Sequence, residues 1–87
     1  MDINQTISVP IYNFSTYIFS FVATNGDGFS DQIDTGIIMM NNGQGKIIHF
    51  KEDSSLVTLD IKTNLLNITS RLWLMASIYM LTPYQQS

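Results

Sequence analysis

The sequence predicts an α+β fold: a small antiparallel β-sheet of about five strands in a meander, finished by one C-terminal α-helix. Three observations lead there. Apolar residues alternate with period two in several short stretches between residues 6 and 62. Runs rich in Asn, Gly and Ser separate those stretches. Beyond residue 64 the apolar spacing changes to steps of three and four. With 87 residues and no linker-like tract, the chain reads as a single small domain, 1–87.

From Thr6 to Ile11 the apolar residues Ile7, Val9 and Ile11 alternate, and Pro10, which lacks a ladder donor, places this strand at a sheet edge. From Ser15 to Ala23, Tyr17, Phe19 and Phe21 project to one face while Ile18, Ser20 and Val22 project to the other. Both faces are largely apolar, so a central or doubly covered strand is expected. Strands follow at 36–40 and 46–51, joined by Asn41-Asn42-Gly43-Gln44-Gly45, whose Asn and Gly residues suit positive φ. Glu52-Asp53-Ser54-Ser55 makes the next turn, and Val57, Leu59 and Ile61 mark a strand at 56–62.

Leu65, Ile68, Leu72, Met75 and Tyr79 then form a helical stripe, with Asn64 as N-cap and Pro83 as the stop, which predicts a helix over 64–81. The alternative segmentation caps a helix at Ser54 or Ser55, runs it through Ile68, and ends on a strand at 71–81. That version is an OB-like small barrel with one helix near 54–68.

Composition narrows function by exclusion. Apolar residues make up 45% of the chain and charged residues 13%, about half the usual charged share. The net charge is −3, and the cations are Lys46, Lys51, Lys62 and Arg71. They cannot build a phosphate-facing patch, so no nucleic acid is expected as a partner. The most apolar window, 72–81, is too short to span a membrane, and the polar start lacks a signal-peptide pattern. A soluble, cytoplasmic protein with no membrane partner is the expectation. Without cysteine, thiolate metal sites and disulfides are excluded.

One stretch resembles a cation loop. In Asn25-Gly26-Asp27-Gly28-Phe29-Ser30-Asp31-Gln32-Ile33-Asp34, setting Gly28 at the EF-hand glycine puts Asn25, Asp27, Asp31 and Asp34 at ligand positions. The match fails at its first ligand, where Ala23 stands, and at its last, where Asp34 replaces a bidentate Glu. The expected role of the stretch is chain reversal, with no metal and no cofactor. His49, the sole histidine, sits in a strand on the same face as Ile47 and Lys51, and nothing in the sequence supplies a nucleophile beside it. The aromatic run Tyr12, Phe14, Tyr17, Phe19 and Phe21 is expected to be core, with sugar stacking as the other use of such a surface.

These exclusions leave a non-enzymatic protein-binding or assembly protein, of the inhibitor, immunity or accessory type. The low-charge, Asn- and Ile-rich composition suits a phage or mobile-element source. On the expected helix, Leu74, Ile78 and Leu81 form a second apolar stripe beside Arg71, opposite the one that covers the sheet. That face is the expected interface, with a homo-oligomer or another protein as the partner. The alternative function, tied to the OB-like barrel, is an oligomeric module that binds a glycan or small polar ligand.

Overall fold

A computed structural model describes residues 1–24, 32–51 and 56–84, with the side chains of Gln32 and Ile33 left out of account. All regular structure in them is β: β1 (Thr6–Pro10), β2 (Thr16–Thr24), β3 (Gln32–Met40), β4 (Gly45–Lys51), β5 (Val57–Lys62), β6 (Leu65–Ser70) and β7 (Ala76–Tyr84). Two antiparallel sheets result, one of three strands in the order β1-β6-β5 and one of four in the order β4-β3-β2-β7. The strands expected near 6–11, 15–23, 36–40, 46–51 and 56–62 are present as β1 to β5, divided between two sheets and not joined in one meander. β1 lies at an edge, as Pro10 requires.

The C-terminal helix over 64–81 is absent, and so is the helix near 54–68 of the OB-like alternative, whose described part is β5, a tight turn and β6. Thr63 and Asn64 both take positive φ, 50° and 62°, between the paired residues Lys62 and Leu65. That is a two-residue hairpin whose backbone matches the twist of its strands. Asn64, which looks like an N-cap, instead uses its tolerance of the left-handed region to turn the chain. Leu66, Ile68 and Ser70 then face inward at period two. Residues 71–75 cross to the other sheet, and β7 runs through Pro83.

Facing residues of the two sheets make the core. β2 contributes Tyr17, Phe19, Phe21 and Ala23, β3 contributes Ile38 and Met40, and the smaller sheet contributes Val57, Leu66 and Ile68. Leu74, on the crossover, closes one end at 1% exposure, and its N–H and C=O both bond the backbone of Met1, at 2.8 and 2.9 Å. Ser70 is fully buried, and its hydroxyl answers the backbone of Asp2 and Gln5. At the other end the Asn13 amide joins three turns. Its oxygen accepts from Gly43 N–H (2.9 Å) and Asn64 Nδ2 (2.6 Å), while its nitrogen donates to Asn42 Oδ1 (3.3 Å).

Candidate functional site

The two sheets differ in what they turn outward. On the three-stranded sheet the outer side chains form the cross-strand rows Thr6–Thr69–Thr58, Ser8–Asn67–Asp60 and Pro10–Leu65–Lys62. Thr6 and Thr69 share a 2.9 Å hydrogen bond and Ser8 donates to Asn67 at 2.7 Å, so this face is a conventional hydrated surface. On the four-stranded sheet the corresponding rows are Ile48–Ile37–Ile18–Thr82, Lys46–Met39–Thr16–Tyr84, Thr35–Ser20–Met80 and Val22–Ile78. Ile18, Ile48, Ile78, Met80 and Tyr84 are each at least 40% exposed. The charged residues placed on this face among those described are Lys46 and Lys51, both on the rim strand β4. β2 is central, as its two apolar faces predict, but only its inner face is covered by described residues.

This arrangement redistributes the expected interface. Leu74 belongs to the core, Leu81 is half-buried on the inner side of β7, Ile78 stands on the outer face at 63% exposure, and Arg71 is exposed on the crossover. The three apolar residues therefore do not share a stripe. The helical spacing that aligned them does not exist. Of the four, Ile78 alone joins the apolar face. The signal for that face was present in the sequence as the second apolar series of β2 (Ile18, Val22), which a covered strand would explain equally well.

The inner face carries one polar constellation. Gly36 pairs with His49 across β3 and β4, and Phe19 pairs with Gly36 on the other side. Because Gly36 has no side chain, the Phe19 ring reaches past it to meet the imidazole edge-on, with centroids 5.8 Å apart and planes at 87°. Asp34, two residues along β3, lies 2.9 Å through Oδ1 from His49 Nδ1 and is 3% exposed. A buried carboxylate needs such partners, because removal from water disfavours its charge. Asp34, placed in the cation-loop series by the sequence, is thus a partner of His49. Asn25, Asp27 and Asp31 lie outside the described residues. Among those described, no group of three acidic or histidine side chains could hold a metal.

The pair borders an open groove of about 350 Å³ between β4 and β5, lined by Gly45, Lys46, Ile47, His49, Leu59, Asp60 and Ile61. A carboxylate that orients an imidazole is half of a hydrolytic relay, but the described residues of this lining offer no hydroxyl or thiol to serve as nucleophile. Lys51, expected beside His49 and Ile47, instead pairs with Thr35 of the outer series, because an irregularity between Thr35 and Gly36 leaves Phe50 as the extra residue. Replacing His49 with Ala should destabilise the domain by about 1–3 kcal/mol, since Asp34 loses a hydrogen-bond partner while staying buried. Urea unfolding of His49→Ala and Asp34→Asn/His49→Ala checks this, and equal midpoints for wild type and His49→Ala would contradict it.

No helix among the described residues is long and apolar enough to cross a membrane. Searches against protein-family models, curated proteins and solved structures gave no match to this chain, so its own surface carries the functional reading.

Proposed function

We propose that this domain is a non-enzymatic assembly protein that works by burying the outer face of its four-stranded sheet against a second copy of itself. The observation that carries this reading is the contrast between the two outer faces: the three-stranded sheet presents chiefly Thr, Ser, Asn, Asp and Lys, whereas the four-stranded sheet sets Ile, Met, Val and Tyr among a few Thr and Ser, with lysines on β4. Apolar side chains left wet on such a face forgo about 25 cal/mol for each Å² that burial would remove from water. Single exposed apolar residues carry no meaning, whereas a contiguous set on adjacent strands marks a contact.

The second copy is favoured by shape and size. Four strands at roughly 4.8 Å spacing and up to nine residues long give a platform of about 600 Å² in plan, before side-chain relief is added. That approaches the roughly 800 Å² per partner of a standard interface. Two such sheets pack face to face at about 10 Å, each supplying the same apolar rows. A two-fold axis makes one patch sufficient for both partners. Lys46 and Lys51 stay at the rim, where water reaches them, and the absence of acidic residues among the described side chains of this face argues against a basic partner.

Sedimentation velocity tests the proposal. Wild type should associate at micromolar concentration, and Ile18→Lys/Ile48→Lys should fold and sediment as a smaller species than wild type at the same concentration. A wild type that remains monomeric at high micromolar concentration overturns it, and so does a double variant that sediments as wild type does.

A further inference from the structure

Beyond the face contact, the geometry points to a second and separate contact: we infer that β7 pairs edge to edge with β7 of another copy, antiparallel about a two-fold axis at Tyr79. Four strand edges are free of a described neighbour, and three of them are guarded. β1 is short and ends in Pro10. β5 displays Asp60 and Lys62. β4 carries Lys46 and Lys51 and the irregularity opposite Thr35. Short length, proline, charge and bulges are the devices by which sheet edges resist pairing. β7 has nine residues, no charged side chain and a regular register with β2 throughout.

The direction of its backbone groups follows from the ladder. Met40 N–H donates to Ser15 C=O at 2.8 Å, one step beyond the paired residues Thr16 and Met39. Hydrogen-bonded and non-hydrogen-bonded pairs alternate in an antiparallel ladder, so the odd-numbered residues of β2 bond β3 and the even-numbered ones bond β7. In β7 the residues that face β2 are then Ala76, Ile78, Met80, Thr82 and Tyr84. Ser77, Tyr79, Leu81 and Pro83 turn their backbone groups toward the open edge. Pro83 therefore lacks its N–H on the side where β2 does not need it, which explains how proline lies inside a nine-residue strand.

The same proline selects the register. Centred on Tyr79, the new ladder sets Ser77 opposite Leu81 of the second copy, Tyr79 opposite Tyr79, and Leu81 opposite Ser77, and each pair exchanges two hydrogen bonds. Centred on Leu81, it would set Pro83 opposite Tyr79 and lose a donor on both sides. Centred on Ser77, it would run Tyr79 against residue 75, outside the strand. In the Tyr79 register three pairs keep both hydrogen bonds, whereas centring on Ile78 or Met80 leaves two such pairs, and this self-complementarity of β7 favours a second copy over a foreign strand. The product is one continuous sheet of twice the width.

Amide hydrogen exchange distinguishes this contact from face packing, because only edge pairing protects the outward amides. In concentrated wild type the amides of Ser77, Tyr79 and Leu81 should exchange at least tenfold more slowly than in dilute protein. Ser77→Pro removes one outward donor and leaves the β2 ladder untouched, and it should abolish that protection. Tyr79→Lys, which adds an edge charge, should do the same should Ser77→Pro fail to fold. Ile18→Lys/Ile48→Lys should keep the protection while losing the face contact. Outward amides that exchange equally fast at both concentrations overturn the edge pairing. Association abolished by Ile18→Lys/Ile48→Lys but unaffected by Ser77→Pro also overturns it. A wild type that is monomeric at millimolar concentration leaves the edge to a foreign strand and overturns self-pairing.

Discussion

Replacing Leu74 with Glu should unfold the domain. Leu74 is 1% exposed at the end of the core, and its backbone is held in place by Met1 on both sides. Truncation of such a residue to Ala costs about 2–5 kcal/mol, and a glutamate adds the penalty of a buried, unpaired carboxylate. Small domains hold about 5 kcal/mol in reserve, so Leu74→Glu exhausts it and Leu74→Ala consumes much of it. The comparison that makes this informative is Ile78→Lys. Were residues 64–81 helical, both positions would be solvent-facing neighbours and both variants would fold. In the observed sheet Ile78 is 63% exposed, and at concentrations too low for association Ile78→Lys should change stability by less than about 0.5 kcal/mol. Circular dichroism with urea titration separates the two cases, and a Leu74→Glu variant with a wild-type midpoint would return Leu74 to the surface.

Adding one methyl group at Gly36 should be nearly as damaging. Its Cβ would point into the core 2.8 Å from Phe19 Cε1 and 3.0 Å from His49 Cα, and would collide with the carbonyl oxygen of Ile48. Two of those three obstacles are backbone atoms of β4, which cannot retreat without opening the ladder between β3 and β4. An overpacking cost of about 3 kcal/mol or more follows for Gly36→Ala. The Phe19–His49 ring contact should be lost with it, which the His49 ring resonances in an NMR spectrum would register. Gly43→Ala serves as the control. No atom lies within 4 Å of its added Cβ, and only its φ of 74° is unfavourable, so about 1 kcal/mol is expected there. Equal losses at the two glycines would refute the close approach at Gly36.

Much of the sheet structure was legible, and the part that was not has a physical cause. Strands such as Ser15–Ala23 and Val57–Lys62 are dominated by β-branched and aromatic residues, so propensity and periodicity agree. From Leu65 onward they conflict. Leu65 and Leu66 are adjacent apolar residues, Ser70 is a buried polar one, and a crossover at 71–75 interrupts the alternation. Positions 65, 68, 72, 75 and 79 then fall at helical steps by coincidence, drawn from two strands and a connection. The Thr63-Asn64 turn hid the boundary, because it lacks the glycine that usually announces a two-residue hairpin. Pro83 misled for a related reason, since only the ladder shows that its missing donor faces outward.

The candidate site was less legible still. Alternation tells which residues share a face, but not whether that face meets the core or water, and β2 is apolar on both sides. The Phe19–His49 contact depends on the gap that Gly36 leaves in the strand between them, Asp34 reaches His49 from that same strand, and no spacing in the sequence encodes either.

The hydrated rows Thr6–Thr69–Thr58 and Ser8–Asn67–Asp60 have a consequence for how far assembly can proceed. A chain with two greasy sides would stack without end. The proposed face contact would consume the apolar side of both molecules and turn two polar sides outward, so thickness would stop at a pair. The proposed edge pairing would likewise consume β7 of each molecule and leave the guarded strands at the margins, so width would stop at a pair as well. Each chain would then have a valency of two, one bond along the sheet normal and one across it. Where both axes meet at right angles, the set would close at two copies by two.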